Sequence, residues 1–182
     1  GTVNLQAGQN QLLSLGVEIG IPGEKSNQYL SINRSVSEGY KYNTDYDISN
    51  IMYQNSIKIQ GHETMIFGGY TERKFGANGF YASPNFKDQY EEVQTSIIGV
   101  SSKIINGTWI HKPKLYWRRN QDEYIFVRSN PSLYRNLHIG NNIGAEWNSS
   151  RTSAIGITGI GGEIRREHLV SSNLGERKRN LF

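Results

Sequence analysis

The sequence predicts an all-β chain, an antiparallel up-and-down meander of about nine strands with barrel character. Three observations predict it. Long stretches alternate between apolar and polar residues, most cleanly Gln11 to Ile21. There Leu13, Leu15, Val17, Ile19 and Ile21 share one face, and Ser14, Gly16, Glu18 and Gly20 share the other. No stretch carries the 3.6-residue apolar period of a helix. Short and long connections also take turns along the chain. Short ones fall at 22–27, 61–63, 105–107 and 149–152; long ones fall at 37–47, 76–89, 128–136 and beyond Glu167. A meander gives this order when one rim is trimmed and the other elaborated.

Each element follows from the same period of two. Thr2 to Gly8 is a short alternating segment, turned by Gly8-Gln9-Asn10. Pro22-Gly23 ends the Gln11 to Ile21 strand. Gln28 to Val36 sets Leu30 and Ile32 against Ser31 and Asn33. Ile48 to Gln60 places Ile51, Tyr53, Ile57 and Ile59 on one face and Gln54, Ser56, Lys58 and Gln60 on the other. Thr64 to Phe75 places Met65, Phe67 and Phe75 opposite Tyr70, Glu72 and Lys74. Tyr90 to Ile104 is turned by Asn106-Gly107, a pair that tolerates positive φ. Thr108 to Val127 contains Pro113, which predicts a bulge or a locally unpaired position. Leu137 to Asn148 and Ser153 to Arg166 read as a last hairpin around Ser149-Ser150-Arg151, followed by a polar tail.

Composition bounds the class. The 182 residues fit a single domain spanning 1–182, and 36% of them are hydrophobic. No run approaches the ~20 apolar residues of a membrane helix, which leaves a transmembrane barrel open because its strands alternate. The chain has no Cys, so neither a disulfide scaffold nor a thiolate metal site is available. A net charge of +4 with scattered basic residues, clustered only at Arg177-Lys178-Arg179, carries no nucleic-acid module. Gly1-Thr2-Val3-Asn4 has no secretion signal, and GERKRNLF reads as the middle of a loop; both ends suggest a piece of something longer.

A soluble β-sandwich also alternates, but its strands average ~5–6 residues. The predicted strands are longer, which favours the barrel. Tyr29, Phe75, Tyr90, Trp109, Tyr124 and Trp147 lie near strand ends and suit the aromatic girdles of a barrel's two interfaces. On this reading Leu13 to Ile21 faces lipid, and Val17→Arg disfavours insertion by ~2–4 kcal/mol near the midplane.

No enzyme signature is present. His62, His111, His138 and His168 share no metal-ligand spacing. Asn43, Asp45 and Asp47 alternate as oxygen ligands of a Ca²⁺ loop would, but Ile48 occupies the glycine position, no Glu closes the loop, and the segment reads as a solvated turn. Gly156, Gly159, Gly161 and Gly162 precede no helix that would present its N-terminus to a phosphate. Glu91-Glu92 and Asp122-Glu123 are strand neighbours and face opposite ways, so neither is a catalytic carboxylate pair. No metal and no cofactor is expected. Arg118-Arg119 and Arg165-Arg166 read as charge ladders paired with carboxylates such as Glu72 and Glu163. The Tyr-rich loops are the ligand-contact candidates, because Tyr and Asn give broad contact at low entropic cost. The residues are Tyr40, Tyr42 and Tyr46 in one loop, Asn78, Phe80 and Tyr81 in the next, and Tyr134 in the third.

Four segments also carry a family resemblance. NTDYDISNIMYQ, ERKFGANGFYASPNFKDQYEE, PKLYWRRNQDEYIF and IGGEIRREHLVSSNLGER resemble the barrel of TonB-dependent outer-membrane receptors of Bacteroidetes, of the cobalamin- or siderophore-receptor type. FGANGFY…QYEE is the most specific of them. The resemblance implies a ~22-stranded barrel occluded by an N-terminal plug, which imports a scarce small-molecule ligand across the Gram-negative outer membrane with energy from an inner-membrane complex. The chain departs from that pattern: it shows no plug, no TonB box and too few strands to close the large barrel. Transport is therefore expected of a longer parent and not of this chain alone. The alternative is a self-contained small β-barrel or β-sandwich that binds a ligand without transport.

Overall fold

A computed structural model describes residues 1–81 and 83–182. Ten strands follow one another in a single antiparallel sheet, each paired with its neighbours in sequence. They are β1 (Thr2–Ala7), β2 (Leu13–Ile21), β3 (Ser26–Ser37), β4 (Tyr46–Ile59), β5 (His62–Gly76), β6 (Tyr90–Asn106), β7 (Trp109–Ile125), β8 (Arg135–Ser153), β9 (Gly156–Ser171) and β10 (Gly175–Leu181). Among the described residues there is no helix and no pairing of β1 with β10, so the sheet is open and not a closed barrel.

The predicted meander is therefore present, with one strand more than the sequence showed. The supposed polar tail is β10, and β9 runs to Ser171, leaving three residues in place of a long loop. Gln11 is not in a strand: Asn10 and Gln11 both take positive φ in the β1–β2 turn. The last short turn is Ala154-Ile155, because β8 continues through Ser149, Ser150 and Arg151 to Ser153. Gln60-Gly61 forms the β4–β5 turn with φ of 50° and 82°, and Gly107-Thr108 forms the β6–β7 turn with Gly107 at 59°. These tight turns share one rim, and the connections 38–45, 77–89 and 126–134 share the other.

Pro113 leaves the β6–β7 ladder locally unpaired. Pairing lapses between Ser101–Lys114 and Ile104–His111, and the same register resumes beyond the gap, so no bulge forms. Proline has no N–H to give to the ladder.

The register separates two faces. One row of paired residues runs Ile32, Ile51, Tyr70, Ser96, Arg119, Asn141, His168 from β3 to β9. On this face apolar residues gather toward the tight-turn rim (Leu30, Tyr53, Ile66, Ile98, Leu115, Ile143, Ile164) and polar ones toward the loop rim (Arg34, Asp47, Glu72, Gln94, Gln121), where Val36, Leu137, Ile139 and Val170 are exceptions. The boundary slides steadily toward the tight turns. The first apolar residue below it is Ile32 in β3, Ile98 in β6 and Ile164 in β9, a slip of four residues over six strands. At ~3.3 Å per residue and ~4.8 Å between strands, the strands cross the apolar band at roughly 25° from its perpendicular.

The opposite face is polar and carries a row of alternating rings and glycines: Phe67, Gly99, Tyr116, Gly144. Each ring lies over a glycine. A Cβ on Gly99 would stand 2.6 Å from the Phe67 ring, and one on Gly144 would stand 2.5 Å from the Tyr116 ring. The Tyr116 hydroxyl donates to Glu163 at 3.0 Å, which pins the ring across Gly144. Gly144→Val is expected to lower stability by about 1–3 kcal/mol by overpacking this row. Gly140→Val, with nothing within 4 Å of its Cβ, should cost much less. Equal shifts in a denaturant titration would count against the ring-over-glycine packing.

Among the described residues nothing forms a second layer. Ala77 and Ile125 are the only buried apolar side chains among the described residues, and the apolar band stands exposed. The six girdle candidates divide between the faces. Tyr90, Trp109 and Trp147 share the face of the band, while Tyr29, Phe75 and Tyr124 lie on the polar face and cannot belong to a lipid-side girdle with them.

Candidate functional site

The site is built where three long connections meet above the sheet: 38–45, 77–89 and 126–134. Asn43 is its hub. Its backbone takes a positive φ of 52°, a conformation asparagine tolerates. Its side-chain amide donates to the carbonyls of Lys87 at 2.7 Å and Gln89 at 2.6 Å. Its side-chain oxygen accepts from Arg128 at 3.2 Å, and its own carbonyl accepts from the Asn78 amide at 3.2 Å. One residue thus ties the first loop to the second and third.

Arg128 is the second tie. Its guanidinium donates to Asp45 at 2.7 Å and lies over the Tyr90 ring at 4.4 Å, and its backbone N–H donates to the Asp88 carbonyl at 2.8 Å. The hydrogen bond to Asp45 raises its pKa further, so it stays charged. The alternation of Asn43, Asp45 and Asp47 has this physical outcome: the first two accept from Arg128, and Asp47 pairs with Arg34 at 2.7 Å. Their cations are arginines.

Gln89 lies at the base of the cluster and is fully buried. Its side-chain oxygen accepts from the Tyr81 amide at 3.3 Å, and Ala77 N–H donates to its carbonyl at 2.8 Å. From there aromatic rings step outward. Phe80 meets Tyr81 edge-on at 4.9 Å, Tyr81 meets Tyr124 at 5.5 Å, and Tyr124 meets Tyr134 at 6.3 Å. Phe86 and Phe126 make a second contact at 5.0 Å. Burial, and then the neighbouring Glu91 carboxylate, push the Tyr81 phenol up, so it remains protonated and able to donate.

The residues singled out in the sequence fare unequally. Phe80, Tyr81 and Tyr134 come together around Tyr124. Tyr42 reaches across to donate to Asp88, a bond that raises its pKa. Asn78 is a brace, its amide donating to the Tyr42 carbonyl at 2.5 Å. Tyr40 stands apart, 75% exposed. Tyr46 is not in a loop: it opens β4, paired with Ser37 and Phe75. Sequence reading takes Tyr124 for a girdle residue and singles out none of Asp88, Gln89, Phe126 and Arg128 for the site, although the first two lie in the candidate loop 75–90. The FKDQY run and the Phe126-Val127-Arg128 step carry these groups, but no periodicity brings them to Asn43.

The arrangement offers a half-exposed aromatic surface with phenol hydroxyls, set on a rigid hydrogen-bonded base. It suits contact with a ligand. Among the described residues no group of His, Asp and Glu is placed to hold a metal ion. A scan against protein-family models finds no match to the chain, and a search of curated proteins finds none either.

Proposed function

We propose that the chain is part of an outer-membrane β-barrel receptor of the TonB-dependent kind, whose longer parent takes up a scarce small molecule such as a siderophore or cobalamin. The oblique apolar band carries this reading. A single sheet has one polar face and one face with an exposed apolar band beside the trimmed rim. The lipid face of a barrel has this character, with short turns on one side of the membrane and long loops on the other. The strands also cross the band obliquely, in the manner of the tilted strands of a barrel. β6 to β8 run 17, 17 and 19 residues, longer than the ~9–11 that span a bilayer, so their polar halves stand outside it. The loop cluster then sits on the outer side, where a ligand arrives, with Phe80, Tyr81, Tyr124 and Tyr134 as its contact surface. On this reading further strands complete the barrel, and energy coupling belongs to the parent.

The test is to locate the native polypeptide in fractionated envelopes, using peptides from Phe75–Arg118 as the tag. The expected result is an outer-membrane band several times the mass of this chain. A band in the soluble fraction would overturn the membrane reading. A membrane band of 20.6 kDa would replace the large receptor with a small barrel that binds without transport.

A further inference from the structure

The polar face holds a second feature, at the opposite rim from the loop cluster. A single register row crosses four strands there: Lys58 opposite Glu63, Glu63 opposite Lys103, and, continuing the β6–β7 register through its gap, Lys103 opposite Lys112. Like charges directly across a strand pair repel, so this juxtaposition is unfavourable unless something relieves it. Lys25 joins the group from the β2–β3 turn, where its carbonyl accepts from the Lys58 amide at 3.0 Å. These residues and Glu24 border a cavity of about 420 Å³. Among the described residues, none of the four lysines makes an ion pair, whereas Lys114, one step further along the same face, pairs with Glu146 at 2.9 Å. The two carboxylates leave the group with an excess of two positive charges. The Lys103–Lys112 meeting also falls where Pro113 interrupts the ladder, so the two strands are not held together there by backbone bonds.

We propose that this cavity binds a small multivalent oxyanion of the phosphate type, held between Lys103 and Lys112 and supported by Lys58 and Lys25. The anion cancels the cross-strand repulsion and bridges β6 and β7 across the proline gap. It is taken from solution and not from a lipid headgroup, because these side chains project from the polar face and not from the face bearing the apolar band. The site itself does not need the receptor reading; only the exclusion of a lipid source rests on it.

The test uses the 182-residue chain in neutral detergent with radiolabelled inorganic phosphate, against chloride at equal ionic strength. The expected result is saturable binding at one site and a phosphate-dependent rise in Tm. Lys103→Glu and Lys103→Gln should each weaken binding at least tenfold. Lys112→Glu should weaken binding as much and also raise the phosphate-free Tm, because it sets opposite charges across the gap and its neighbour on the other side is the uncharged Asn148, which separates loss of the site from loss of the fold. Lys178→Glu, on the other face, should bind as the parent does. Absence of saturable binding, equal binding by the Lys103 and Lys178 variants, or a response only to phosphatidylglycerol micelles would each overturn the proposal.

Discussion

On the proposed membrane reading, Leu115→Arg is expected to destabilise the inserted protein by about 2–4 kcal/mol, whereas Gln121→Arg should cost about 0–1 kcal/mol. Both positions lie on β7 and point to the same face, six residues apart. The register places Leu115 in a row with Val100 and Ala145, inside the apolar band, and Gln121 in a row with Gln94 and Ile139, beyond it. A guanidinium at the depth of Leu115 must shed water into hydrocarbon or deform the bilayer to keep it. At the depth of Gln121 it stays hydrated. Urea titration of vesicle-inserted protein reads both costs on one scale. If they are equal, the band is not a lipid contact, whatever covers it.

Asn43→Ala should loosen the loop cluster by about 2–4 kcal/mol. The side-chain amide makes two donations and its oxygen accepts one from Arg128, each contributing ~1 kcal/mol net, while the Gln89 carbonyl keeps its bond from the Ala77 N–H. Alanine also accepts the positive φ of this position poorly. Amide exchange is the direct measure. The Asn78 N–H, which donates to the Asn43 carbonyl, and the Arg128 N–H, which donates to Asp88, should both exchange faster. Tyr40→Ala removes a side chain that is mostly in solvent and should leave both rates unchanged. If Asn43→Ala does the same, Asn43 is no hub and the aromatic surface rests on something else.

The fold was legible where one face is apolar. β2 announces itself because Leu13, Leu15, Val17, Ile19 and Ile21 repeat without interruption. β10 did not, because GERKRNL is polar on both faces and a period of two has no amplitude there. It is a strand because β9 offers it an edge, and because Glu167 and Glu176 take Arg179, Lys178 and His168 as partners. The Ser149-Ser150-Arg151 run misled for a related reason. It has the composition of a turn, but the alternation continues through it, and the turn falls at Ala154-Ile155, where an exposed isoleucine hides it. In the loop cluster, the aromatic residues were visible as a compositional excess. The ties were not, since Asn43 meets Gln89 only after two strands, and Arg128 only after four, have set the distance between loops. The sequence pattern around Asn43 and Asp45 registered a demand for a cation without showing that an arginine 83 residues along would meet it.

Strict nearest-neighbour pairing also gives the chain a parity. Every strand reverses direction, so each connection is assigned to a rim by whether an odd or an even number of strands precedes it. Removing one strand would exchange the rims for everything downstream, setting tight turns where loops belong and turning register partners out of phase. Removing two in succession would restore both. Length variation in such a sheet is therefore quantised in hairpins. Each hairpin closes locally, at an entropic cost that grows only with the logarithm of its loop length. A sheet of this kind can lengthen by whole hairpins at either edge without re-addressing any loop already in place.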